Sequence, residues 1–307
     1  MFNVYQTTIN QAVKFEGIGL HTGLNSKIKI LPAKANTGIL FKRVDLKENN
    51  IIEASYLNVN STKLCTTLEN KFGAKVSTVE HLLAALFIAK IDNAIIEINN
   101  QEVPIMDGSS KDFLDVLEKT KKINLNNKKI YFKIIKKVEL LDGKRKISIE
   151  PSNFFEVDYQ LQYKNKIIGQ QRNVINFNND DLEDIIQSRT FCLLRDIEKI
   201  KKLGLAKGGS LDNAIVIDEN KVLNKEGLRN EKEFVNHKIL DLTGDFFLSG
   251  TEFIGKVTCN QGGHELSNLF LRKLLKSASS FKKINFDETI KLDRKLINQT
   301  LKTAVNA

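Results

Sequence analysis

Only four histidines occur in this chain of 307 residues, and three of them stand in motifs that also carry carboxylates. In HKILD, His237 and Asp241 are four residues apart, which on a helix stacks them on one face about 6 Å from each other. Asp245 continues the stripe, and Gly244 leaves an open patch beside it. A metal bridging an imidazole and a carboxylate at this spacing suits zinc or iron. The same spacing also describes an ordinary surface His–Asp pair contributing ~0.3 kcal/mol. In STVEH, Ser77 and Glu80 fit a capping box, Ser77 at the N-cap and Glu80 at N3, a role that contributes on the order of 1 kcal/mol. That role leaves His81 unexplained. A glutamate adjacent to a metal-binding histidine serves as general base in zinc peptidases. Ala85 occupies the place of their second histidine, so the other ligands must come from elsewhere, and HKILD supplies two. Two histidines and one aspartate with an open position form a catalytic arrangement, not a structural one. In GGHELSN, His264 opens a helix behind paired glycines. A helix N-terminus disfavours imidazolium, so a protonated His264 needs a carboxylate, and Asp245 is the candidate. An ordinary histidine at a helix start is the alternative.

The elements that must position these groups alternate along the chain. TTINQAVKFEGIGLHTG, SKIKILPA and GILFKRV read as strands and turns. STVEHLLAALFIAK predicts a helix, IDNAIIEIN (91–99) a buried strand, and EVPIMDGSS a loop. KDFLDVLEKTKK predicts a second helix with Phe113, Leu114 and Leu117 on one face. The polar stretch KTKKINLNNKK (119–129) is the best domain boundary. Beyond it, strands are expected at 130–139, 146–150 and 154–163, then a helix through DDLEDIIQSRTFCLLRDIEKIKKLG. AKGGS turns into a strand, LDNAIVID, and EKEFVNHKILDLTGDFFLSG predicts a long helix. The likeness of IDNAIIEINN (91–100) to LDNAIVIDEN (211–220), each preceded by a helix, hints at two related α+β halves.

Composition sets the outer limits. With 41% hydrophobic and 27% charged residues the chain can build a core. Nothing resembles a secretory signal or an unbroken apolar span, and three scattered cysteines argue against a disulfide frame. The cytoplasm is the expected location. A net charge of +10 points to an anionic partner, although a solvated lysine surface explains it as well. Arginine supplies only 8 of the 47 basic residues, and no aromatic stacking motif accompanies them, so nucleic-acid binding is not expected. An iron oxygenase is a further alternative for two histidines and a carboxylate, but those ligands are typically borne on strands.

GIGLHTG, STVEHLLAAL, EVPIMDGSS, SRTF with RDIE, GLAKGGSLDNAIVID, EFVNHKILDLTGD and GGHELSN stand in order. Their order and spacing, from about residue 5 to 275, closely resemble the UDP-3-O-acyl-N-acetylglucosamine deacetylase family. The resemblance implies an α+β fold of two similar halves, each a sheet layered against two helices, with the active site between them. The corresponding domains are 1–122 and 130–280, with an acyl-chain insert near 191–217 and a lysine-rich tail over 281–307. It implies hydrolysis of the N-acetyl group with release of acetate, the committed step of lipid A biosynthesis. His81, His237 and Asp241 are the implied ligands of Zn2+, with Fe2+ as the alternative. Glu80 is the implied base, His264 the acid that protonates the amine, Asp245 its orienting partner and Thr190 the oxyanion donor. Phe191 and Lys238 are implied substrate contacts, and Arg145 the contact to the nucleotide phosphates. Leu194, Ile197, Leu211 and Val216 are implied walls of an apolar tunnel, positions that plain core packing also explains. Gln261 replaces a basic residue of several relatives, and His21 receives no role. The implied partner is a UDP-linked acylated amino sugar, with transient contact to the inner-membrane surface and a monomeric chain.

Overall fold

The computed structural model describes residues 2–286. Along the chain come β1 (Tyr5–Ile9), β2 (Val13–Ile18), β3 (Asn25–Pro32), β4 (Ile39–Arg43) and β5 (Ile51–Glu53). Three short strands, β6 (Val59–Ser61), β7 (Thr67–Glu69) and β8 (Lys75–Val76), form a small sheet of their own. They lead to α1 (Glu80–Ile88), β9 (Ala94–Ile98) and α2 (Lys111–Lys119). The second run is β10 (Lys122–Lys128), β11 (Ile130–Ile134), β12 (Val138–Asp142), β13 (Arg145–Glu150), β14 (Phe155–Gln162) and β15 (Gln170–Asn176). After α3 (Glu183–Ile186), β16 (Phe191–Leu193), α4 (Leu194–Lys202) and β17 (Ile215–Ile217) come α5 (Glu233–Phe247), β18 (Glu252–Asn260), α6 (His264–Lys276) and β19 (Phe281–Asn285). No helix among the described residues is long and apolar enough to cross a membrane.

The architecture is α+β. One sheet has the order β2-β3-β9-β4-β5, and within the larger sheet runs the series β12-β13-β18-β14-β15. Both series have the same directions: antiparallel, antiparallel, parallel, antiparallel. In each the central strand follows one helix and precedes another, α1 and α2 around β9, α5 and α6 around β18. The strand equivalent to β9 is therefore β18. The look-alike segment LDNAIVID yields only the three-residue β17, paired with β16 outside both large sheets.

Three other expectations change. The stretch 119–129 is not a loose linker: β10 pairs antiparallel with β1. Its side chains face mostly outward, so a polar sequence can still be a strand. The helix expected through SRTF is split into α3, an extended segment, and α4, with β16 between them. The start of the expected tail, Phe281–Asn285, is an edge strand on β11; residues 287–307 lie outside the described residues.

Between the sheets lie α1 and α5. Every residue of α1 but Ile88 is buried, as expected for a helix apolar nearly all round beyond its first turn; every residue of α5 but Lys238 is buried as well, its polar side chains included. Their crossing is unusually close. A Cβ on Gly244 would lie 2.0 Å from the Glu80 carbonyl oxygen, so the patch beside Gly244 is not open but filled by the α1 backbone. A second clamp ties together the segments that follow α1 and α5. Buried Lys129 binds Asp92 at 2.6 Å and also Glu252, which takes Lys90 at 2.9 Å. Burial works against Glu252, but Lys129 and Lys90 outweigh it and hold the carboxyl down to about 2.

Gly244→Ala should therefore destabilise the fold by about 2–3 kcal/mol through overpacking, read from the urea midpoint. For the clamp, a carboxyl depressed in the folded state adds stability above its unfolded value near 4.5, which is lost as pH falls through about 2. Glu252→Gln should cost about 3 kcal/mol at neutral pH, and its deficit should shrink across that acid window in pH-dependent denaturation.

Candidate metal centre and catalytic chamber

The close crossing places the first turn of α1 against the middle of α5. The chain enters α1 through Thr78, whose φ of 56° is left-handed and whose hydroxyl donates to Glu102 at 2.9 Å. That reversal delays the helix, so Val79 becomes the N-cap and no side chain caps it. The capping box expected of Ser77 and Glu80 is not formed. The Ser77 hydroxyl donates to the Gln101 carbonyl at 3.1 Å, and Glu80 Oε2 accepts the Thr66 N–H at 3.0 Å. Glu80 is thereby free to face the chamber.

His81, His237 and Asp241 are all buried, and one ligand atom from each lies within 4.8 Å of the others. Both imidazole Nε2 atoms stand 3.4 Å from Asp241 Oδ1, and the rings meet edge to face at 5.0 Å. His237 Nδ1 lies 3.1 Å from the Ser188 carbonyl. A carbonyl only accepts, so Nδ1 carries the proton and Nε2 presents a lone pair. Burial pushes His237 down to about 3 in spite of Asp241, so the ring is neutral at pH 7. A lone pair thus faces a carboxylate oxygen with no proton between them, and Asp241 Oδ1 has no hydrogen-bond partner. The other oxygen, Oδ2, accepts from Lys238 Nζ at 2.7 Å. Burial opposes ionisation of Asp241, yet the Lys238 ammonium helps to keep its carboxyl well below the ordinary range. This donor set fits a divalent cation with nitrogen and oxygen ligands.

Beside it lies a pair suited to moving protons. His264, the first residue of α6, binds Asp245 Oδ2 through Nδ1 at 2.9 Å, and Asp245 Oδ1 accepts from the Thr66 hydroxyl at 2.6 Å. His264 Nε2 stands 3.6 Å from Glu80 Oε1 and 4.0 Å from Asp241 Oδ2. Burial disfavours a charged His264, but Asp245, Glu80 and Asp241 push it up to about 10. Burial raises Glu80 above the usual carboxylate range, against the pull of His264 and His81. One environment thus makes a stronger base of the carboxylate and keeps a proton on the imidazole.

Thr190 closes the chamber, its backbone pinned by Gly108 and Ile215 at 2.8 Å each. Phe191 packs on Phe234 and lies 6.2 Å from the His237 ring, with Lys238 Nζ 5.5 Å from its own. The chamber is small, about 30 Å³, room for a water molecule. It adjoins an apolar cavity of about 380 Å³ whose walls include Phe191, Leu194, Ile197, Leu211 and Val216. Leu20, His21 and Leu64, absent from the site residues proposed on sequence, line both spaces together with Thr190. The signal for Leu20 and His21 was GIGLHTG, a motif with no assigned chemistry; Leu64 lies outside it. Arg145 is not brought to either space; its guanidinium holds Asp142 and, at 2.9 Å, Glu265. Gln261 is tied through its amide to both backbone groups of Gln162.

Comparison with known proteins agrees over nearly the whole chain. Residues 6–276 match the family described as LpxC, UDP-3-O-acyl N-acetylglycosamine deacetylase. A protein of Pseudoalteromonas translucida (strain TAC 125) named UDP-3-O-acyl-N-acetylglucosamine deacetylase is 42% identical over 290 residues, 94% of this chain and 96% of its own. Proteins of the same name from Shewanella frigidimarina (strain NCIMB 400) and Geotalea uraniireducens (strain Rf4) are 41% and 42% identical. They cover 93% and 88% of this chain, and 94% and 88% of their own lengths. On this evidence the chain belongs to the UDP-3-O-acyl-N-acetylglucosamine deacetylase family.

Proposed function

We propose that this chain hydrolyses the N-acetyl group of UDP-3-O-acyl-N-acetylglucosamine in a zinc-dependent step of lipid A biosynthesis. The observation that carries the reading is the unpartnered Asp241 Oδ1, faced at 3.4 Å by both imidazoles. Lone pairs converging in a dry site repel one another unless a cation lies among them. His81, His237 and Asp241 would hold that cation. Bound there, zinc would polarise the acetyl carbonyl and lower the pKa of water from 15.7 to about 7.

The chain's own residues supply the remaining steps. Glu80 takes a proton from the attacking water through Oε1, its basicity enhanced by burial. The water oxygen bonds to the acetyl carbon, and the Thr190 hydroxyl donates to the developing oxyanion. His264, held by Asp245, gives its proton to the sugar nitrogen as the C–N bond breaks, leaving acetate and the free amine. Lys238 compensates the charge of Asp241 and, with Phe191, forms the wall against which the sugar rests. Leu194, Ile197, Leu211 and Val216 offer the acyl chain an apolar path. Arg145 could reach the diphosphate only by releasing Asp142 or Glu265.

Acetate release from the acylated UDP-sugar tests the reading directly, together with metal content per chain. Glu80→Gln should lower turnover about 10²–10⁴-fold while the metal stays bound; loss of metal would make Glu80 a structural residue instead. Asp241→Asn should abolish both metal and activity. With His264 held up to about 10 in the folded chain, its acid role persists through neutral pH and is lost on the alkaline side. His264→Gln should flatten that alkaline limb of the rate profile. An unaltered limb would remove His264 from the proton path.

A further inference from the structure

His21 is the histidine that the proposed reaction leaves unused, and it is held with unusual care. It sits in the turn between β2 and β3, underneath which lies the fully buried side chain of Glu102. Glu102 accepts the His21 N–H at 2.8 Å, the Thr22 N–H at 2.7 Å, the Thr22 hydroxyl at 2.6 Å and the Thr78 hydroxyl at 2.9 Å. A Cβ on Gly19 would approach Glu102 Oε2 to 2.4 Å, and one on Gly208 would approach the Gly19 carbonyl to 2.4 Å. The turn is therefore clamped between the carboxylate on one side and the 206–208 segment on the other. From that segment the Ala206 N–H donates to His21 Nδ1 at 3.3 Å. Nδ1 is thus the acceptor of a neutral ring, and the proton resides on Nε2.

That Nε2–H is buried and has no hydrogen-bond partner; the Leu64 carbonyl is nearby but out of bonding geometry. His21 is one of four residues, with Leu20, Leu64 and Thr190, that line both the catalytic chamber and the apolar cavity. In the proposed substrate the N-acetyl and O-acyl groups occupy adjacent sugar carbons. With the acetyl at the metal centre and the chain in the apolar cavity, the ester joining chain to sugar must lie at that junction. Of the four residues there, two are leucines and Thr190 serves the acetyl oxygen.

We propose that the His21 Nε2–H donates to the ester carbonyl of the 3-O-acyl group, making His21 a specificity-determining residue that reads the link between sugar and chain. This rests on the deacetylase reading. A buried donor left unpaired in the free enzyme gains its partner only from a substrate that carries the carbonyl. Such sites discriminate strongly against analogues lacking the acceptor. Glu102 acts through His21 as a positioning residue.

The test compares the 3-O-acyl substrate with its 3-O-alkyl ether, in which a methylene replaces the carbonyl at equal chain length, by kcat/KM for acetate release. The wild-type chain should favour the ester about tenfold. His21→Asn keeps an acceptor for Ala206 but lacks the distal donor, and should bring the ratio close to one by slowing the ester alone. His21→Gln, whose Nε2 can stand where the imidazole donor stood, should restore most of the ratio. Metal content should match wild type in both variants, which separates this effect from damage to the centre. A wild-type ratio retained in His21→Asn would overturn the inference while leaving the deacetylase reading intact. No acetate from either substrate with the wild-type chain would overturn both.

Discussion

Everything in the site depends on how closely two buried helices cross. Gly244 has no side chain where α5 meets the first turn of α1, and the Glu80 carbonyl occupies that space. Ligands separated by more than 150 residues can share one point only because the backbones touch there. The glycine acts through its absent Cβ and not through unusual dihedral angles. The helices thus bring their polar faces together at the crossing, while the rest of their surfaces is sealed in core.

The same burial sets the chemistry. Glu80, Asp241 and Asp245 are three carboxylates in a site nearly closed to water, an arrangement that costs heavily unless each is compensated. Lys238 answers Asp241, and His264 answers Asp245 and Glu80. The one uncompensated oxygen lies 3.4 Å from the Nε2 atoms of both His81 and His237. A cation would complete the balance, and the proton-carrying His264 Nε2 already stands 4.0 Å from Asp241 Oδ2. The topology supports this by repetition: one strand order and one pattern of strand directions occur twice, each with helices flanking its central strand.

Much of this was legible in the sequence, and what was not has identifiable causes. Histidine beside carboxylate at helical spacing pointed to His81, His237 and Asp241, which the fold brings together as a group that could hold a metal, because side-chain direction on a helix is fixed by spacing alone. The pairing of His264 with Asp245 followed from the cost of a cation at a helix start. The capping box at Ser77 failed because Thr78 takes a left-handed conformation that propensity does not reveal. The stretch 119–129 read as a linker because β10 lies on an exposed ribbon, where strand formation demands no apolar face. The extended Thr190–Phe191 segment was hidden in a helical pattern, since long-range bonds to Gly108 and Ile215 override local preference there. The likeness of 91–100 to 211–220 pointed to duplication in the wrong place, because burial of a short apolar strand selects similar residues in unrelated positions. Arg145 matched a motif but spends its charge on Asp142 and Glu265, pairings set by the fold and invisible to spacing.

One cation is expected where α1 and α5 cross. X-ray absorption at the zinc edge on the purified chain addresses it most directly. A first shell of two imidazole nitrogens and a carboxylate oxygen, lost in His237→Ala, is the expected spectrum. A sulfur scatterer from Cys65, Cys192 or Cys259, or an unaltered shell in that variant, would place the metal elsewhere and contradict the account.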